Sequence, residues 1–294
     1  MIKLLALDLD GTLLNSHGEI PDKNREAIRA AEHAGVLVTI ATGRRFRDAR
    51  PVGLDLGLNA PLITHNGALL KYADTLRTVH ADLITTDTCL EIIRVGKSYG
   101  GDAFVSADPL TSGKLLYDRV SEQNEPLRRY LAWAVTLHGD DAHDAVLHVP
   151  RLEDEVGKHE IIHVSFSGSC ASMFEMEQYL ANELGTSVTI LTTVYRQRDF
   201  TLIDILPPNA SKGSGLAKLA EIFGIDRDET MAMGDNFNDI EMLEFAGTSV
   251  VMGNADPRLI EREEFYNTVS NDECGVAAAI DEHILNTGDF TRGQ

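Results

Sequence analysis

Two carboxylates interrupt an apolar run near the start of the chain, Leu4-Leu5-Ala6-Leu7-Asp8-Leu9-Asp10-Gly11-Thr12-Leu13-Leu14. A run of this kind, ended by a Gly-Thr turn, reads as a fully buried strand of a parallel sheet. An unpaired charge is costly to bury, so Asp8 and Asp10 need a cation or strong donors beside them. Two apart on an extended chain, they share one side of it, which suits a single divalent ion. Taken alone, the same residues also fit a strand-end Asp capping the next turn, with a second Asp in solvent. Three later stretches bear on the choice: Ile40 to Arg44, Ser211-Lys212-Gly213, and Gly234 to Asp239.

Asp235 closes another apolar strand. If that strand neighbours the first where the winding reverses, Asp235 faces Asp8 and Asp10 across the crevice. Two carboxylates, one backbone carbonyl and waters make an octahedral oxygen site suited to Mg²⁺. Asp235-Asn236 also fits a simple helix cap. Asp239 either holds this loop or touches a metal-bound water. Thr42-Gly43 offers a hydroxyl and backbone N–H groups, a common anion site. Arg44 adds charge there, or is a surface arginine. Lys212 opens a helix whose dipole it opposes, so a nearby anion would account for it, although a lone lysine is usually solvated. Together these stretches supply a nucleophile, an acid/base, a metal site, a hydroxyl donor and a cation, the inventory for phosphoryl transfer to a carboxylate.

The elements that must position these groups follow from pattern. After a polar loop at Asn15 to Ile20, Pro21 opens a helix with apolar spacing at Ala27, Ile28, Ala31 and Ala34, closed by Gly35. Val36 to Ala41 is a second buried strand, Arg47 to Leu56 a helix, and Pro61 to Thr64 a third strand ending at His65-Asn66-Gly67. This alternation predicts a parallel α/β core, Rossmann-like, with its functional loops at the strands' carboxyl ends. From about Leu83 the texture changes. Helices over Thr86–Tyr99 and Ala171–Leu184 and strands at 103–105, 114–117, 161–166, 188–191 and 201–206 predict an α+β unit, its sheet carrying helices on one face. The stretch Glu122 to Asp144 between them is polar with helical pieces. Parallel style returns after Pro207-Pro208: helix 212–223, strand 230–233, a helix to Phe245, strand 248–252, helix 257–264, strand 266–269 and helix 276–284. The expected organisation is a core of residues 1–82 and 207–294 interrupted by an inserted cap at 83–206.

Composition narrows the partners. With 294 residues, 26 basic and 46 acidic side chains and a net charge of -20, the chain is poorly suited to nucleic acid or anionic membrane. It can still hold a small phosphate ligand through local cations. Cys89, Cys170 and Cys274 are widely spaced without a C-x-x-C, which points away from disulfides or zinc and toward a reducing cytoplasm. The start is too short in apolar residues for a secretory signal, and no stretch reaches the roughly 18 a membrane span needs. His138, His143 and His148 lie among Asp140, Asp141 and Asp144, but without helical pairing they read as a polar loop rather than a metal site. Tyr130 and Trp133 are expected in the cap's core.

The four stretches, in this order and spacing, resemble the haloacid dehalogenase superfamily, and more closely its Cof-like phosphatases with an α/β cap after the third strand. Asp8-Leu9-Asp10-Gly11-Thr12-Leu13 is similar to the family's first motif, Thr42-Gly43-Arg44 to the second, Ser211-Lys212-Gly213 to the third, and Gly234-Asp235-Asn236-Phe237-Asn238-Asp239-Ile240-Glu241-Met242 to the fourth. Val251 to Ala255 and Ser270 to Ala277 also resemble family stretches. The resemblance implies Asp8 as nucleophile through an aspartyl phosphate and Asp10 as the acid and then the base. It implies Mg²⁺ on the Asp8 carboxylate, the Asp10 carbonyl and Asp235. The Leu9 amide, Thr42, Gly43, Lys212 and Asn238 would hold phosphoryl oxygens. Asn66 at the core's edge could meet the leaving group. The expected activity is a Mg²⁺-dependent phosphatase for small-metabolite phosphomonoesters such as sugar phosphates, working as a monomer or small homo-oligomer. A phosphomutase or phosphotransferase, or a catalytically weak phosphate sensor, are the alternatives.

Overall fold

The run that begins at Leu4 is a strand only as far as Leu7. Gly11 turns the chain at a φ of +92°, and Leu13 and Leu14 donate back to the carbonyls of Asp8 and Leu9 at 3.2 and 2.9 Å. Leu9 and Leu13 are fully buried all the same. The apolar run therefore fills the core partly from a strand and partly from a turn, and the strand stops at Leu7, short of the Gly-Thr turn expected to end it.

The computed structural model describes residues 1–196 and 199–286. They form two compact units: Met1–Gly43, Pro51–Thr75 and the chain from Ser211 onward make the first, and Leu76–Ala210 with Arg44–Arg50 the second. The short piece Arg44–Arg50 had been expected with the first segment. It groups with the second because Arg45 and Asp48 are buried there, with His138 Nε2 2.8 Å from Asp48 Oδ1.

In the first unit a five-stranded, wholly parallel sheet runs in the order Tyr266–Asn267, Thr248–Val251, Thr230–Gly234, Leu4–Leu7, Leu37–Ile40. Its central strands are buried along their whole length, as a parallel sheet covered on both faces requires. Leu4–Leu7 and Thr230–Gly234 lie side by side, Leu7 opposite Met233, so their carboxyl ends open at one edge. The third expected strand, Leu62–Thr64, differs. It meets the sheet through a single bridge, Ala41 to Ile63, and then folds into an antiparallel hairpin with Leu69–Lys71. The helix expected over 257–264 spans only Pro257–Ile260. Beyond Leu259, positions 261–264 are Glu, Arg, Glu and Glu, which leaves no apolar face for a second turn to bury. The last helix is Gly275–Ile280, followed by a wider turn at Asp281–Leu285.

The second unit has a six-stranded sheet in the order Thr189–Tyr195, Phe200–Leu206, Ile161–Gly168, Ala103–Ala107, Lys114–Tyr117, Val146–His148. Ile92, Ile93, Met176 and Leu180 of the helices Thr86–Ser98 and Cys170–Leu184 pack on one face with Val105, Val164, Phe166, Ile203 and Ile205. The other face is covered too, contrary to the expectation of one covered face. Leu127 and Leu131 of helix Glu125–His138 pack on Phe104 and Leu115, which alternate along their strands with Val105 and Leu116. The spacing Leu127, Leu131, Ala134 supplies the apolar stripe that the surrounding charge obscured. Tyr130 packs against this smaller cluster, whereas Trp133 is exposed and stacks on Tyr130. No described helix is long and apolar enough to cross a membrane.

Candidate active site

Asp8 directly follows the strand Leu4–Leu7, its N–H donating to Met233 O at 2.9 Å, and it is 4% exposed. Lys212 Nζ stands 2.6 Å from Asp8 Oδ1 and 2.6 Å from Asp239 Oδ1, and the lysine is 1% exposed. Asp239 is fully buried. Its other oxygen accepts the N–H groups of Asp235 and Asn236, each at 3.0 Å, so it shapes the loop as well as pairing with the lysine. Among the described residues, Asp8, Asp235 and Asp239 are the group whose carboxylate oxygens gather, all within 4.8 Å of one another. Asp10 is exposed and its carboxylate is not in this group, although both were expected on one side of a strand. The strand has already ended at Leu7, so the two do not keep the alternation of an extended chain.

Close approach explains the glycines here. A Cβ on Gly11 would collide with the Asp235 carboxylate, and one on Gly234 with Asp239. Thr12 Oγ1 donates to Asp235 Oδ1 at 3.2 Å, a contact with no signal in the sequence beyond its place beside Gly11. Lys212 is delivered by the first turn of helix Lys212–Phe223, where Ser211 and Ser214 form a reciprocal cap that satisfies helix N–H groups without any acidic residue. Ser211 Oγ also donates to Glu241. The lysine tolerates this terminus because two carboxylates face it.

The Thr42–Gly43 loop lies beside the same sheet. Thr42 is buried, donating its N–H to Ile63 O at 2.9 Å, while its carbonyl accepts from Asn66 N at 3.1 Å. Asn66, also buried, adopts a left-handed conformation (φ 49°, ψ 42°) that Asn tolerates, and its side-chain amide lies where a Cβ on Gly43 would press, 3.0 Å away. Leu9 is buried in the Asp8 turn, and Asn238 is half-buried in the loop capped by Asn236. Arg44 belongs to the second unit, its guanidinium 5.7 Å above the Trp133 ring. The three histidines of the 138–148 stretch go separate ways: His138 to Asp48, His143 to the Asp140 carbonyl at 2.7 Å, His148 to the Asp118 carbonyl at 3.2 Å.

Electrostatically the cluster holds three carboxylates and one ammonium. Burial, and then the charge of Asp239, push Asp8 well above the ordinary carboxylate range despite Lys212. The same two causes push Asp235 up to about 7. Burial opposes the charge on Lys212, but Asp239 and Asp8 hold its pKa above the ordinary lysine value. A buried, all-oxygen donor set short of positive charge fits a hard divalent cation. Such an ion would keep the carboxylates ionised.

Comparison with known proteins agrees with this chemistry. A family model described as haloacid dehalogenase-like hydrolase matches residues 5–280. The chain is 31% identical to the putative phosphatase YxeH of Bacillus subtilis (strain 168), over 97% of this chain and 99% of that protein. It is also 31% identical to the same organism's 5-amino-6-(5-phospho-D-ribitylamino)uracil phosphatase YwtE, with coverage of 96% and 98%. A solved haloacid dehalogenase-like hydrolase from B. subtilis superposes with a TM-score of 0.78 at 25% identity, covering 96% of this chain and all of that one (100%). A buried Asp-Lys-Asp site in a parallel sheet and these full-length matches lead to one conclusion: the chain belongs to the haloacid dehalogenase-like hydrolases, as a phosphatase of their Cof-like branch.

Proposed function

We propose that this phosphatase hydrolyses phosphomonoesters of small metabolites with Mg²⁺ as its ion, through an aspartyl phosphate on Asp8. The observation that carries the reading is Lys212 Nζ held 2.6 Å from both Asp8 and Asp239 inside a cluster with surplus negative charge. An Asp8 oxygen attacks phosphorus and the P–O bond to the alcohol breaks, while Asp10 gives its proton to the departing alkoxide. Water then attacks the phosphorus, Asp10 takes up its proton, and the Asp8–phosphorus bond breaks to release phosphate. Lys212, the Leu9 amide, Thr42, Gly43 and Asn238 bind and orient the phosphoryl oxygens, and fixed charges aimed at them supply most of the rate. Asp8, Asp235 and the Asp10 carbonyl would hold the Mg²⁺, which supplies charge neutralisation at the phosphoryl group. Asp239 keeps Lys212 and the Asp235 loop in place.

The second unit acts in substrate selection, and Asn66 of the first unit contributes at the leaving group. Relatives of similar length support small-molecule substrates: YwtE is named for a phosphorylated ribitylaminouracil. Cys89 is buried with its thiol pushed up to about 12 by burial, an inert group consistent with a reducing cytoplasm.

The test is phosphate release from a panel of sugar, nucleotide and cofactor monoesters. Wild type should turn over at least one of them, chelator should stop it and Mg²⁺ restore it. Asp8→Asn should fall by at least about 10³-fold while keeping its fold. Transfer to an added alcohol in place of phosphate release would identify a phosphotransferase. A wild type inert on the whole panel would favour a sensor.

A further inference from the structure

Two stretches that resemble the family in sequence, at 251–255 and 270–277, have no part in the reaction just described. Their asparagines meet the turn that carries Asp10. Asn254 Nδ2 donates to the Gly11 carbonyl at 2.8 Å, and its Oδ1 accepts the N–H of Asn271 at 2.9 Å. Asn271 Nδ2 donates in turn to the Leu14 carbonyl at 2.8 Å, and Asp272 Oδ1 accepts the N–H of Ser16 at 2.8 Å. One amide thus grips the carbonyl immediately after Asp10, and a second grips the far end of the same turn.

The topology makes this a long reach. Asn254 follows the strand Thr248–Val251, which is separated from Leu4–Leu7 by the strand Thr230–Gly234 that ends at Asp235. Its side chain crosses to the Gly11 turn, and Thr12 of that turn donates to Asp235. The turn has a left-handed glycine and leaves the Gly11 and Leu14 carbonyls outside the sheet ladder, so its geometry depends on donors from elsewhere. A carboxamide is also the right group for this place. It donates without adding a fourth negative charge beside Asp8, Asp235 and Asp239.

We propose that Asn254 and Asn271 are positioning residues that clamp the Gly11–Leu14 turn, holding the Asp10 carboxyl where it meets the leaving-group oxygen. The inference rests on the reaction under Proposed function. Its consequence is a dependence on the leaving group. In the first transfer an alkoxide must be protonated as it departs, whereas p-nitrophenolate leaves without help. A misplaced Asp10 therefore lowers kcat/KM, which reports that transfer, only for the alkyl ester; hydrolysis of the aspartyl phosphate is common to both esters.

The experiment compares kcat and KM of wild type, Asn254→Ala and Asn254→Asp on an alkyl monophosphate and on p-nitrophenyl phosphate, with Asp10→Asn as the reference. Asn254 is exposed, so its loss spares the core, and Asp keeps the acceptor and size while losing the donor. General acid catalysis contributes about 10²–10⁴-fold, so Asn254→Ala should lose ~10-fold or more in kcat/KM on the alkyl ester and under ~3-fold on the aryl ester. Asn254→Asp, which loses the donor and adds a charge, should show at least the same ratio between the two esters. Amide exchange at Leu13 and Leu14 should quicken by ~10-fold in Asn254→Ala, whatever the substrate. Equal losses in kcat/KM on the two esters, or exchange at the wild-type rate, would overturn the clamp while leaving the reaction standing. A wild type without phosphatase activity would overturn the reaction first and the positioning role with it.

Discussion

Each compact unit of this chain buries a cluster of charged side chains, and the two are balanced in different ways. In the second, Arg45 meets Asp48 through two parallel hydrogen bonds, Nε to Oδ2 at 2.7 Å and Nη2 to Oδ1 at 2.9 Å, with His138 as a third partner. Burial works against both charges. Even so, Arg45 and His138 hold Asp48 below the ordinary carboxylate range, and Tyr130 and Asp48 keep the guanidinium above its own. In the first unit Asp8 and Asp235 are similarly withdrawn from water, yet their pKa values move up, because Asp239 adds negative charge and one lysine cannot offset three carboxylates. Opposite shifts of Asp48 and Asp8, both buried, separate a cluster that is complete from one that requires a further positive charge. That distinction, more than burial itself, supports the first cluster as the proposed place of chemistry.

The comparison breaks most visibly if one partner is taken from the complete cluster. Asp48→Asn leaves a buried guanidinium without its carboxylate, a change that costs about 3–5 kcal/mol. Urea unfolding should show this loss with and without divalent ions. A cost below about 1 kcal/mol would mean that the Arg45–Asp48 pair contributes little, as exposed pairs do.

The incomplete cluster should behave in the opposite way. Asp235→Asn removes surplus negative charge, so in chelator its stability should stay within about 1 kcal/mol of wild type. Its defect appears when the ion is added. Wild type at 100 times the dissociation constant of Mg²⁺ gains about 2.7 kcal/mol, and the variant should gain far less. Thermal melts with graded Mg²⁺ measure both quantities. An Asp235→Asn protein that responds like wild type would place the ion elsewhere.

The contrast also shows where sequence reasoning reached and where it stopped. The helix Lys212–Phe223 was legible to the residue, because Ser211 caps it and Gly224 ends it in a left-handed conformation. The strands ending at Asp8 and Asp235 were legible as apolar runs closed by Gly and Asp. Their adjacency rests on a winding rule, and the register Leu7 opposite Met233 fulfils it. Asp239 was harder to assign. Four residues from Asp235 it could only be placed near the loop, since its pairing with Lys212 depends on how a helix from a different segment is docked. The Asn254 and Asn271 contacts are further still from local pattern, joining positions 243 and 257 residues apart. Arg45 beside Arg44 gave no hint of burial: its carboxylate partner Asp48 is close by, but His138, which closes the cluster on Asp48, lies 90 residues beyond it in another element.

The smallest expected effect concerns His163, which sharpens the account of the complete cluster. It is 3% exposed, with Nε2 3.2 Å from Ser106 Oγ. Arg45, Asp48 and Asp204 are the charged groups around it. Burial, and then the positive charge of Arg45, lower its pKa from 6.5 to about 3, so the folded protein keeps it neutral. Between those two values the unfolded chain binds a proton that the native state does not, and stability therefore falls as pH falls. The slope is about 1.4 kcal/mol per pH unit, or roughly 2 kcal/mol between pH 6.5 and pH 5. His163→Gln retains a polar side chain without this titration, so the difference in unfolding free energy between variant and wild type should change by that amount over the interval, in favour of the variant at low pH. A constant difference would show that His163 takes its proton in the native state, with Asp48 and Asp204 outweighing Arg45. The second unit's cluster would then carry an additional positive charge, and its balance would depend on pH.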